Sequence, residues 1–117
     1  MDDITNLRFS RSANDVANKF MITGKFENFL SVAKFAFAYA VRNFYTKFDP
    51  ASYEIPDSDG NNYNVGSFNE IEPYIRVLYP DTNTPYIYIR ALILYGLQKL
   101  GEKIEFEGMS KISIYCK

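Results

Sequence analysis

The sequence predicts a mainly α protein: a compact four-helix domain, residues 1–117, with a short N-terminal strand and a small β-rich C-terminal tail. Three observations carry this prediction. Phe26 to Tyr45 is an almost uninterrupted apolar stretch, apolar residues recur at helical spacing in three further segments, and strict alternation is confined to short runs elsewhere.

The apolar stretch organises the rest. Between Phe35 and Val41 it reads Phe-Ala-Phe-Ala-Tyr-Ala-Val, and this alternation of large and small would also suit a strand. A run of about twenty Ala-rich residues is far longer than a strand of about 5–6, which decides for helix. Glu27, Ser31, Lys34 and, one turn past Ala38, Arg42 form a single narrow polar stripe. A short chain can hardly wrap one helix on most of its circumference. Part of this face is therefore expected to be a subunit contact in a homo-oligomer.

The remaining elements follow in order. Ile4 to Phe9 alternates as a strand, with Leu7 and Phe9 on one face and Asn6 and Arg8 on the other. Ser10 is a helix N-cap, and Ala13, Val16, Ala17, Phe20 and Met21 share one face of a helix ending at Thr23-Gly24. From Thr46 to Gly66 turn chemistry dominates, and Tyr53, Ile55, Tyr63 and Val65 flank either a hairpin or an irregular loop. Asp57-Ser-Asp-Gly60 lacks the glycine and glutamate positions of an EF-hand and reads as a turn. Ser67-Phe-Asn-Glu70 is a capping box, opening a helix whose inner face is Phe68, Ile71, Tyr74, Ile75 and Leu78; Pro73 either kinks it or moves its start. Thr84-Pro85 begins the last helix, which runs to Gly101 with Gly96 at a close packing contact. Ile104, Phe106, Ile112 and Ile114 form the β-rich tail.

Composition excludes much chemistry. The chain has no histidine and one cysteine, Cys116, so Ser-His and Cys-His nucleophiles, histidine metal sites and internal disulfides are all out of reach. Neither of the glycine-rich phosphate-binding patterns GxxxxGK[ST] and GxGxxG occurs. No secretory signal or membrane-length apolar run is visible, which predicts a cytoplasmic, non-membrane protein. No enzyme activity and no cofactor is expected. Net charge is −1, but residues 1–48 carry +3, residues 49–84 carry −6 and residues 85–117 carry +2. A nucleic-acid surface would therefore use the first and last thirds. An ordinary mixed-charge surface with an acidic loop fits the same counts.

Two resemblances appear at these residues. Leu7 to Tyr45 is similar to a ribbon–helix–helix module, which pairs two N-terminal strands in a DNA groove and would make Asn6 and Arg8 base readers. Roughly Leu7 to Leu100 resembles the DndE family, the small subunit of the bacterial DNA phosphorothioation (DNA sulfur modification) system. The matching pieces are Leu7-Arg8-Phe9-Ser10, Thr23-Gly24, Phe35 to Val41, Asp59-Gly60 through Val65-Gly66, and Ile89-Arg90 with Gly96 and Leu100. Their order and spacing carry the resemblance. The histidine that the family often carries in its last helix is missing here, and the basic character expected of the family is weaker.

The resemblance implies a non-catalytic, homo-oligomeric subunit that binds duplex or nicked DNA, or scaffolds the other subunits of a DNA-modification complex. Carried over by position, its DNA contacts would be Arg8, Arg11, Lys19 and Lys25, with Lys34 and Arg42 of the polar stripe as second choices. The alternatives are a dimeric ribbon–helix–helix regulator and a protein-interaction adaptor without nucleic-acid binding, its acidic loop at residues 49–72 facing a basic partner.

Overall fold

Alternation at the start of the chain survives into three dimensions: Leu7 and Phe9 are fully buried, while Asn6 and Arg8 face solvent. The computed structural model describes residues 2–108. In it β1 (Asn6–Arg8) pairs antiparallel with β2 (Asn62–Asn64), in the register Asn6↔Asn64, Leu7↔Tyr63 and Arg8↔Asn62. Residues 62–64 thus return to the N-terminal strand and do not form a hairpin with Tyr53 and Ile55. The segment between is irregular after a 3-10 turn at Pro50–Ser52. It is nonetheless fixed, because Phe9 donates its amide to the Asn61 carbonyl at 2.9 Å and Gly60 donates to the Phe9 carbonyl at 2.8 Å. At Gly60 a Cβ would stand 2.8 Å from the carbonyl oxygens of Phe9 and Ser10, so only glycine allows this approach.

Helix α1 is Arg11–Ile22, capped by the Ser10 hydroxyl, which accepts the Ala13 amide at 3.2 Å. Its predicted inner residues Ala13, Ala17 and Phe20 are buried. Gly24 follows at φ 74°, the left-handed position that ends a helix.

Helix α2 is Phe29–Phe44, starting later than the apolar stretch because the Asn28 side chain accepts the Ser31 amide at 2.8 Å and caps it there. Val32, Ala33, Ala36, Phe37 and Ala40 are all buried by the chain itself. Phe35 and Tyr39 are half-buried, Phe35 against the rings of Phe20 and Phe26 and Tyr39 against Phe35 and Phe44. The chain thus covers much of α2, while Ala38 stays exposed and Val41 is only partly covered. The physical reason is the alanine content. Ala36 presents bare backbone to Gly96 of the last helix, where an added Cβ would lie 2.9 Å from the Ala36 carbonyl carbon. Helices that approach this closely cover one another with little side-chain volume.

The capping box at Ser67 does not open a helix. Val65–Phe68 forms a 3-10 turn and α3 begins only at Glu72, running to Leu78. A helix begun at Ser67 would carry Pro73 in its interior, where the missing N–H and the ring are costly; with the start at Glu72, Pro73 sits in the first turn. Pro73 therefore moves the start. Ile71 and Ile75 point inward as expected, whereas Tyr74 is 63% exposed and does not belong to the inner face.

The last helix, α4, spans Pro85–Glu107 and so passes through Gly101. Ile104 and Phe106 are helical, which corrects the first half of the predicted β-rich tail; Ile112 and Ile114 lie outside the described residues. Gly101 serves close packing rather than termination, since a Cβ there would meet Val16 Cγ2 at 2.8 Å. Lys99–Glu102 and Lys103–Glu107 pairs, each at 3.3 Å, support the extra turns. Gly108, at φ 83°, is where the helix stops. At the other end the Thr84 side chain makes no cap. Asp3 accepts the amides of Tyr86 at 2.9 Å and Ile87 at 3.0 Å instead. Helix α4 is the axis of the core, with Ile89, Leu92, Ile93, Leu97 and Leu100 fully buried among α1, α2 and α3.

Candidate interaction site

Two of the exposed large apolar side chains, Tyr74 and Val77, stand beside an apolar floor between α2 and α3. A groove of about 830 Å³ runs there, floored by Phe37, Ala38, Val41 and Ile71. Its α3 wall carries Tyr74 and Val77, the latter 80% exposed, one helical turn apart on a second apolar face. Large apolar side chains this exposed, next to an apolar floor, mark binding surfaces more often than isolated ones do. Periodicity put Tyr74 on the inner face and passed over Val77; their i, i+3 spacing was the available signal.

Ions rim the groove. Lys34 of α2 forms an ion pair with Glu70, tying α2 to the segment that precedes α3. Arg42, in the last turn of α2, lines the other end and makes no hydrogen bond or ion pair among the described residues. Its charge opposes the negative end of the α2 dipole but remains exposed to anything entering the groove.

The other predicted cations lie elsewhere. Arg8 donates from its guanidinium to the Gly60 carbonyl at 3.3 Å, and Arg11 pairs with Asp59 at 3.6 Å. The Arg11 amide also donates to Asp57 at 2.8 Å. With the Asp59 amide, it holds the Asp57 carboxyl below its ordinary value. The acidic loop is thus folded onto the N-terminal face where DNA contacts were expected. Lys19 and Lys25 are exposed, near and just beyond the end of α1. Of these cations, Lys34 and Arg42 line the α2–α3 groove together.

A second cleft, of about 480 Å³, opens between the start of α1, residues 53–56 and the far end of α4. Glu54, Glu102 and Glu105 line it beside Ser10 and Ser12. Glu102 is occupied by Gln98 and Lys99. Near the start of α4, Tyr79 packs against Tyr45 and Tyr88, and burial with these neighbours pushes its hydroxyl up to about 12. That phenol stays neutral at physiological pH.

Fold and groove together define a small, mainly α-helical domain with a polar-rimmed apolar interhelical groove, and no described helix is long and apolar enough to cross a membrane. A scan against protein-family models and searches of curated proteins and of solved structures find no match to this chain.

Proposed function

We propose that this chain is a non-catalytic adaptor subunit of a DNA-modification or defence assembly, docking a partner protein through the groove between α2 and α3. The observation that carries the reading is the apolar floor flanked by exposed Tyr74 and Val77. The order of the motifs from Leu7 to Leu100, which resembles the small subunit of the phosphorothioation system, supplies the context. Reconstitution with the other subunits of such a system tests it. Size-exclusion chromatography with light scattering should show a stable complex with the wild-type chain and dissociation with Val77→Asp. A complex unaffected by Val77→Asp would remove the groove from the assembly.

Direct DNA contact is the second reading, favoured by the exposed Lys19 and Lys25 and by Arg42, which is free of any counter-ion among the described residues. The pairing of Arg8 and Arg11 with the 57–60 loop weighs against those two. A gel shift on nicked duplex separates the pairs. Lys19→Glu with Lys25→Glu should abolish binding, and unchanged binding rejects the DNA role as placed here. A ribbon–helix–helix dimer has less support, because β1 already pairs with β2 of its own chain.

A further inference from the structure

We infer that the α2–α3 groove receives the apolar face of an acidic amphipathic helix from a different protein. The inference rests on the docking reading above and adds the chemistry of what docks. The walls of the groove are two helices, and Lys34 and Arg42 mark its ends along α2. Eight residues of helix separate them, a length of about 12 Å. Three apolar side chains spaced i, i+4 and i+7 on an incoming helix cover about 10 Å, so one short amphipathic face fills the groove. Tyr74 and Val77 stand up from α3 at 63% and 80% exposure, where they would close over that face.

Charge selects the kind of helix. Lys34 and Glu70 neutralise each other. Arg42 has no partner among the described residues, so the groove keeps one uncompensated cation at its α2 end. A carboxylate within a turn of the incoming apolar face would form a charge-assisted hydrogen bond there. A second copy of this chain fits less well. In a two-fold contact through this face the partner presents the same lining, whose one carboxylate, Glu70, is already held by Lys34, so nothing there answers Arg42. Nucleic acid fits least, since an apolar floor with a single free cation does not track phosphates.

The test is a display library of helices of about 20 residues with randomised faces. It is panned on the full chain and counter-selected on Val77→Asp, a change at a site exposed enough to leave folding intact. Selected peptides are then measured by fluorescence anisotropy against the wild type, Val77→Asp and Arg42→Glu, with circular dichroism confirming that each variant is folded. Selected sequences should converge on apolar residues at i, i+4 and i+7 with a nearby Asp or Glu. Affinity should fall at least tenfold with either variant, and exchanging the peptide carboxylate for lysine should restore binding to Arg42→Glu. Selection of basic or uncharged helices, indifference to Arg42→Glu, or no selected helix at all would overturn the inference. So would a concentration-dependent dimer that Val77→Asp dissociates, which would give the groove to a second copy. If no helix is selected while Val77→Asp still breaks the reconstituted assembly, the inference falls and the docking reading stands.

Discussion

Gly96→Ala probes the contact on which the fold closes. The alanine Cβ would sit 2.9 Å from the Ala36 carbonyl carbon and nearer still to its oxygen, inside the 3.0 Å limit below which real Cβ contacts essentially never fall. Both obstacles are main-chain atoms of α2, so no rotamer change relieves them and the two helices must separate. Overpacking of this kind typically costs about 1–3 kcal/mol, and a backbone obstacle belongs at the upper end. Replacing a mid-helix glycine with alanine returns about 1 kcal/mol of helix propensity. The net expectation is a loss of about 2 kcal/mol, or roughly 8 °C in Tm for a domain of this size. Urea unfolding followed by circular dichroism should show a lower midpoint. Adding Ala36→Gly should not rescue it, because the colliding atoms belong to the backbone. A Gly96→Ala protein as stable as the wild type, or about 1 kcal/mol more stable from propensity alone, would refute the close approach of α2 and α4.

Three further outcomes follow from the same contacts. Gly101→Ala meets one methyl of Val16 and no backbone; displacing a β-branched side chain that holds one rotamer in a helix costs about what the added helix propensity returns, so stability should lie within about 1 kcal/mol of wild type in the same urea assay. Asp3→Ala removes the acceptor for two amides at the start of α4 and should cost about 1–2 kcal/mol, with faster hydrogen exchange at Tyr86 and Ile87 as its local signature. Asp57 has a folded-state pKa depressed below its ordinary 3.8, so its stabilisation is present above that value and lost as pH falls through the lower folded one. The urea midpoints of wild type and Asp57→Asn, compared from about pH 6 down to about pH 2, should converge at the acid end. A constant gap would show that the charge on Asp57 is irrelevant to holding the loop on α1.

Local signals determined much of this protein. The cap at Ser10, the left-handed turn at Gly24, the buried faces of β1 and α1, the helical state of the apolar stretch and the close packing at Gly96 all depend on neighbours within a turn or on a residue type with one strong preference. The absence of histidine likewise excluded whole classes of chemistry before any fold was known. What the sequence could not decide were contests settled by distant partners. Residues 62–64 pair with β1 and not with the nearer segment, and Asp3 caps a helix more than eighty positions away. Gly101 is crossed because Val16 lies against it, and the capping box at Ser67 yields to Pro73. The groove belongs to this second group. It exists because α3 starts late, turning Tyr74 and Val77 outward beside α2, and because Lys34 has Glu70 within reach while Arg42 has no partner among the described residues. Periodicity fixes which side of a helix is apolar, but only the packing of the other helices decides which part of that side stays open.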